Sequence, residues 1–384
     1  MPDSNENDAI SASSHPQTLP DISYFDDDGD LRILVYDEDV QKVFVASSKA
    51  MSFVCNPWKR MLAGDFKEAQ ADPSGMKEIS LPEDDPRALS ILLNIAHLRF
   101  DNLPKGRMSF EAFRDLIVLS NKYCATVILK PWLSTWVQVI SGSYYFDYTC
   151  GREELLFIYW ELGEEDGMEE LARELTWDIG INEDGQFANK AGKALNPEDS
   201  YCCYPPGLLG KEFLSLLESL STNLHPDSML RLRAQTISCM LDELYGYVSR
   251  YRTAYDQGNP RALCKSGNST RSRRACDSLM FGSLMLSLQC AGLSFERPNT
   301  ESITWSMDTL FDKIMDIEIS QFPRESGYDD EISQFPRGSG YDDHSNCNFY
   351  KGFRKSIKKI RKKMASPVLK SHRVHMERQK ELLG

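Results

Sequence analysis

Residues 28–139 constrain the fold most, because their hydrophobic pattern changes from a strand period to a helix period. Leu31, Ile33 and Val35 alternate with other residues, so one face of an extended segment is apolar. Val43 and Val45 repeat this alternation, and the intervening residues 36–39 are mostly acidic. The pattern predicts two antiparallel strands joined as a hairpin.

Helix signals follow the predicted hairpin. The pair Ser47-Ser48 is a good N-cap, and Asp85 precedes Pro86 at the start of a second candidate helix. In that second segment the apolar residues fall at positions i, i+3, i+4 and i+7, namely Leu89, Leu92, Leu93 and Ala96. A short strand is predicted at residues 79–81 and another helix at 111–121. The fold class is therefore α+β, a short sheet flanked by helices, followed by a mostly helical region.

Four motifs in this stretch resemble the BTB/POZ domain. They are D-G-D-L-x-I-x-V from residue 28, the hairpin exit V-F-V-A-S from residue 43, N-P-W-x-x-M-L-x-G-x-F-x-E from residue 56, and I-x-L-P-x-D-D-P from residue 79. Family members often carry His-Ser where this chain has Ala46-Ser47. The whole chain is most similar to fungal BTB proteins with a helical C-terminal body.

The resemblance implies a non-enzymatic adaptor for protein–protein interactions. Some BTB proteins serve as substrate receptors that recruit a cullin-type ubiquitin ligase through a hydrophobic-x-Glu motif, and Phe66 and Glu68 stand in the matching place. The family also implies a homodimer through this domain. A plainer alternative makes Phe66 a plug in the core and Glu68 an exposed surface residue.

Composition and pattern set the remaining boundaries. We expect a disordered acidic N-terminus at 1–27, the BTB-like domain at 28–139, a helical domain at 140–316, a loop at 317–348 and a basic helical tail at 349–384. The loop holds two near-identical 13-residue copies that begin at Glu318 and Glu331.

No apolar run reaches the ~18 residues of a membrane span, and the N-terminus has no hydrophobic signal region. The ten scattered cysteines lack a regular framework, which favours a reduced protein of the nucleus or the cytoplasm, or both.

Charge is unevenly distributed along the chain. The net charge is −13, yet residues 351–384 hold twelve Lys and Arg against two Glu, so this segment carries +10 and the first 350 residues carry −23. The densest basic run comprises Arg354, Lys355, Lys358, Lys359, Arg361, Lys362 and Lys363. It is typical of a nuclear import signal, a phosphate-binding surface for nucleic acid or anionic lipid, or a tail that folds back on the acidic body. Import would fit an alternative function as a nuclear scaffold or transcription-associated regulator.

A possible metal site is the remaining chemical signal. Cys264, Cys276, His344 and Cys347 offer three thiolates and one imidazole, enough for tetrahedral zinc. Similar Cys and His-x-x-Cys elements occur in the fungal proteins that the chain resembles. The alternative is four unrelated residues, since the two upstream cysteines do not form a C-x-x-C pair. We found none of the phosphate-loop, nucleophile-elbow, zinc-protease or dinucleotide motifs, so a metal-dependent enzyme is the least favoured function.

Overall fold

The computed structural model describes residues 21–37, 40–63, 66–142, 153–195, 204–209, 228–256, 261–266, 269–320, 344 and 346–384. The chain divides into two compact units, which separate between residues 144 and 145. The predicted boundary at 139/140 therefore lies five residues from the observed one. The fold is α+β, with a mixed sheet and helices in the N-terminal unit and a mostly helical C-terminal unit.

In the described part of the chain the N-terminal sheet has four strands, β1 (Asp21–Tyr24), β2 (Leu31–Asp37), β3 (Val40–Ala46) and β4 (Lys77–Ser80). Their order is β1-β3-β2-β4, and β2 and β3 pair antiparallel with Leu31 opposite Ala46, which confirms the predicted hairpin. Strands β1 and β4 pair in parallel with β3 and β2. Leu31, Ile33 and Val35 are fully buried, so the alternation identified the core face correctly.

Five α-helices occur among the described residues of this unit: α1 (Ser48–Val54), α2 (Asn56–Leu62), α3 (Pro86–Ala96), α4 (Phe110–Lys122) and α5 (Lys130–Gly142). The predicted caps are present, because Ser47 accepts a hydrogen bond from the amide of Ala50 and Asp85 accepts one from the amide of Ala88. Leu93 on α3 is fully buried. The apolar stripe of α3 therefore forms part of the core.

The C-terminal unit contains seven helices among its described residues. They are α6 (Leu155–Leu162), α7 (Glu165–Asp178), α8 (Ser228–Ala254), α9 (Thr270–Cys290), α10 (Met307–Met315), α11 (Tyr350–Lys363) and α12 (Lys370–Leu383). Two short antiparallel strands, β5 (Gly180–Ile181) and β6 (Phe187–Ala188), lie within this otherwise helical unit. The core runs along α8 and gathers apolar side chains from α9, α10 and α11.

Two predicted segments differ from the structure. Residues 21–24 form strand β1 and Phe25 is buried, so the disorder predicted for 1–27 does not extend through its last residues. Residues 1–20 lie outside the described part of the chain, as do residues 321–343, which hold most of the tandem repeat.

The tail beyond 349 is helical as predicted, but Phe353 and Ile357 of α11 belong to the core of the C-terminal unit. The tail is thus part of that unit rather than an appendage.

Gly163 at the end of α6 is required by both backbone conformation and space. Its φ is +75°, and an added Cβ would lie 2.7 Å from the carbonyl oxygen of Met376 on α12. We expect Gly163→Ala to destabilise the C-terminal unit by at least ~1–3 kcal/mol, the usual cost of a strained backbone conformation, with the steric clash adding to it. Thermal or denaturant unfolding measures this loss.

Gly246→Ala is the matched control, because Gly246 lies within α8 and a Cβ there would meet nothing within 4 Å. This change should be neutral or stabilising by ~0.5–1 kcal/mol, since alanine favours helix. Equal effects of the two substitutions would show that α12 does not lie this close to Gly163.

Candidate metal centre

The four predicted metal ligands meet in one place in the C-terminal unit. Cys276 lies in the second turn of α9, whose N-terminus is capped by Ser269. Cys264 lies in the loop of residues 261–266 that precedes α9, while His344 and Cys347 lie just before α11. Cys264, Cys276 and His344 are buried and Cys347 is half-buried. The structure therefore brings together residues that are up to 83 positions apart in the sequence.

The distances between the ligand atoms fit a tetrahedral ion. All four lie within 4.8 Å of one another. The Sγ of Cys264 is 3.3 Å from Nδ1 of His344 and 3.5 Å from Sγ of Cys347, and the Cys347 Sγ is 3.8 Å from the same Nδ1. Zinc bonds of ~2.3 Å to sulfur and ~2.1 Å to nitrogen place tetrahedral ligands ~3.8 Å apart for two sulfurs and ~3.6 Å apart for sulfur and nitrogen. The cluster can accept zinc with small adjustments.

Asp277 holds the loop that carries Cys264, a role that the sequence analysis did not identify. Its carboxylate is buried and accepts hydrogen bonds from the amides of Leu263 and Cys264 at 2.8 and 2.9 Å, and from the Tyr255 hydroxyl at 2.6 Å. Because Asp277 follows Cys276 directly, it fixes one ligand-bearing segment against the other. Its position next to a candidate ligand was the only sequence signal for this supporting role.

The protonation state of the donors would change if the cluster bound a cation. Burial, and then the nearby thiols of Cys264 and Cys347, raise the pKa of the Cys276 thiol well above its usual value. A bound divalent cation would offset this preference for the neutral thiol, because it stabilises the thiolate form directly. The Nε2 of His344 lies 3.4 Å from the hydroxyl of Ser272, so a metal on Nδ1 would leave Nε2 protonated and able to donate to that oxygen.

A site with four protein ligands is closed. Catalytic zinc sites keep a coordination position for water or substrate, whereas structural sites use four protein ligands. The set of three cysteines and one histidine matches the structural type. It would fasten the loop before α9 and the entry to α11 to one point of the helical core.

The two residues of the proposed cullin motif lie in the N-terminal unit, after α2. Phe66 precedes a single 3-10 turn (Lys67–Ala69) and its side chain is 59 % exposed, while Glu68 is half-buried. The exposure of Phe66 contradicts the alternative in which this ring fills the core.

The basic residues of the predicted tail are divided between two faces of α11. Arg361 packs its guanidinium over Trp177 and Phe311, at 4.8 and 4.7 Å from the ring centroids, and pairs with Asp308 at 2.9 Å. Arg354 is half-buried against the ring of Tyr350. The lysines of this run are exposed, as is Lys351 of the same helix, so six lysines of α11 face solvent: Lys351, Lys355, Lys358, Lys359, Lys362 and Lys363.

Comparison of the chain with protein-family models, with curated proteins and with solved structures found no match. No helix in the described ranges is both long and apolar enough to cross a membrane.

Proposed function

We propose that this protein is a non-enzymatic interaction adaptor, with a BTB-type N-terminal unit and a C-terminal helical unit held together by a structural zinc ion. The observation that carries the proposal is the closed cluster of Cys264, Cys276, His344 and Cys347, whose four ligand atoms lie within 4.8 Å of one another. A closed site stabilises a surface for partners and leaves no coordination position for a reacting group. This argues against a metal-dependent enzyme.

The order of elements in the N-terminal unit supports the BTB part of the proposal. A β2–β3 hairpin is followed by two short helices, a strand that joins the same sheet, and the leucine-rich helix α3. The motifs that resemble the family fall at the hairpin, at α2 and at the start of α3. Strand β1 lies at an edge of the sheet with Ile22 and Tyr24 about half exposed, which makes that edge the candidate surface for a homodimer.

Within this proposal, the partner of the N-terminal unit is a cullin-type ubiquitin-ligase scaffold. The exposed ring of Phe66 would enter an apolar pocket of that partner, and Glu68 would contribute a polar contact beside it. The helical unit would then hold the protein to be modified. The protein would thus act by bringing two partners together.

Replacing Phe66 and Glu68 by alanine should abolish co-purification of the cullin. An exposed aromatic residue at the centre of an interface commonly contributes ~2 kcal/mol or more, so the affinity should fall at least ~30-fold. Co-purification followed by mass spectrometry, together with titration of the purified partners, measures the loss.

Phe295→Ala with Glu301→Ala is the matched control, because it removes one exposed ring and one exposed carboxylate from the C-terminal unit. This pair should retain cullin binding, and both double variants should keep the wild-type melting temperature. Absence of cullin from the wild-type preparation would refute the ligase proposal outright.

A nuclear scaffold or regulator that relies on import through the basic segment is the second candidate. An import receptor that reads the whole run as a peptide would need Arg361, which packs on two aromatic rings and on Asp308. The lysines remain exposed on the folded helix. Their arrangement along one side of it favours the binding of an external anion over recognition as an import signal.

A further inference from the structure

One face of α11 presents a straight row of positive charge. Lys351, Lys355, Lys358 and Lys362 recur at steps of four, three and four residues, so they lie on one side of the helix, and all four are exposed. At a rise of ~1.5 Å per residue, the row is ~17 Å long. Lys359 and Lys363 widen it on one flank.

These lysines have no negative partners within the described part of the chain. No ion pair involves any of the six, whereas Arg361 of the same helix has Asp308. Helix α11 itself contains no acidic residue. An open depression of ~440 Å³ on this face is lined by Lys351, Arg354, Lys355 and Lys358 alone. The face is therefore suited to an anion that comes from outside the unit.

Arg354 adds an unsatisfied donor to this depression. Its guanidinium lies 5.1 Å from the centroid of Tyr350, and its Nε is buried without a hydrogen-bond partner among the described residues. A buried donor without an acceptor carries a free-energy cost that an incoming oxygen atom would relieve. Phosphate oxygens are strong acceptors for guanidinium groups.

The apolar face of α11, opposite the lysines, helps to distinguish between an anionic lipid surface and nucleic acid as the ligand. A basic amphipathic helix binds lipid by burying its apolar face among the acyl chains. Here Phe353 and Ile357 of that apolar face are already buried in the protein core. A lipid surface could meet only the lysines, along a single line, so nucleic acid is the better match.

The aromatic residues of α11 indicate whether the nucleic acid is single-stranded or double-stranded. Proteins that bind single strands without sequence preference stack successive bases on exposed aromatic side chains. The two aromatic residues of α11, Tyr350 and Phe353, are half-buried and buried, respectively. Double-stranded DNA instead carries one phosphate per ~1.7 Å of axis with both strands counted, so a ~17 Å length holds about ten, of which those on the near side can meet the row.

We propose that the exposed lysine row of α11 binds the phosphate backbone of double-stranded DNA without reading base sequence. The net negative charge of the chain does not prevent this, because charges beyond ~10 Å are largely screened at 0.1 M salt while contacting charges act at full strength. The proposal is independent of any cullin partner. It gives the adaptor a second surface, directed to chromosomal or other duplex DNA.

The test uses the full chain and a fluorescently labelled duplex DNA of mixed sequence, with binding followed by anisotropy at several salt concentrations. With four phosphate contacts, the affinity of the wild type should fall about a hundredfold between ~50 and ~200 mM salt. The variant Lys351→Gln, Lys355→Gln, Lys358→Gln and Lys362→Gln should bind far more weakly at ~50 mM salt, and the slope of log K against log salt for its residual binding should be flatter by about 3.6.

The control variant replaces four exposed lysines elsewhere by glutamine, at Lys59, Lys190, Lys193 and Lys370. It changes the net charge equally and should retain binding, while both variants should keep the wild-type melting temperature. Three results would overturn the proposal: no DNA binding by the wild type at low salt, equal weakening in the two variants, or row-dependent binding that is tighter for phosphatidylserine vesicles or for duplex RNA than for duplex DNA.

Discussion

Protein purified without chelator is expected to contain about one zinc ion per chain, and the variant His344→Ala with Cys347→Ala is expected to contain none. The ligand atoms of the four residues already lie within 4.8 Å of one another, so the wild-type chain pays little to organise the site. Losing two of four ligands removes both the charge and the geometry that zinc requires. Elemental analysis by mass spectrometry measures the metal content directly.

The same variant should lower the stability of the C-terminal unit substantially. Structural zinc ions supply an apparent ~10–16 kcal/mol in zinc-finger peptides at neutral pH, so even partial coupling of that energy to folding amounts to several kcal/mol. The loss should be greatest in the loop of residues 261–266 and at the start of α11, which the centre connects. Calorimetry measures the overall loss, and hydrogen exchange locates it.

Cys239→Ser with Cys290→Ser is the matched control, because both cysteines are exposed and lie outside the cluster. It should leave metal content and melting temperature unchanged. A chain without stoichiometric metal, whose unfolding is indifferent to a chelator, would show that the four residues form an ordinary cluster of thiols beside a histidine.

Leu93→Asp is expected to unfold the N-terminal unit. Leu93 is fully buried on α3, among the leucines of the central stripe. The substitution removes an apolar side chain and either buries an unpaired carboxylate or forces it to remain protonated, at a cost of more than ~4 kcal/mol. That is a large fraction of the stability of a typical domain. Loss of the corresponding calorimetric transition, or recovery of the variant in the insoluble fraction, measures this effect.

Leu98→Asp makes the same chemical change five residues later, where the leucine is 74 % exposed. Leu98 has a φ of +58°, a conformation that aspartate tolerates better than most residues. The control should therefore remain folded and soluble. If Leu93→Asp melted at the wild-type temperature, the buried face of α3 would have been assigned incorrectly.

Local features of the N-terminal unit were accessible from sequence because each depends on near neighbours. Alternation placed Leu31, Ile33 and Val35 on the core face, and the hydrogen-bonding side chains of Ser47 and Asp85 marked the starts of α1 and α3. The same reasoning failed at strand β1. Its four residues do alternate polar and apolar, but the apolar pair Ile22 and Tyr24 is about half exposed. The strand is held by parallel pairing with β3 across some twenty positions of sequence, which a local pattern does not show.

The candidate metal centre was likewise predictable from sequence only in part. Residue chemistry singled out Cys264, Cys276, His344 and Cys347, because thiolate and imidazole are the preferred ligands of zinc. Only the packing of α9 against the segment before α11 brings them together, and only that packing gives Asp277 its role in holding the Cys264 loop. Contacts between distant segments leave no periodic trace in a single sequence.

Helix α11 shows most clearly which properties follow from local sequence and which depend on the tertiary structure. The sequence by itself determined that this segment is helical and strongly basic, since spacing and charge are local properties. The tertiary structure decided which side chains are available. Phe353 and Ile357 are taken into the core and Arg361 onto Trp177 and Phe311, whereas the lysines are left in solvent. The physical reason is that burial depends on the surfaces that α8 and α10 present to the helix, and those surfaces exist only after the chain has folded.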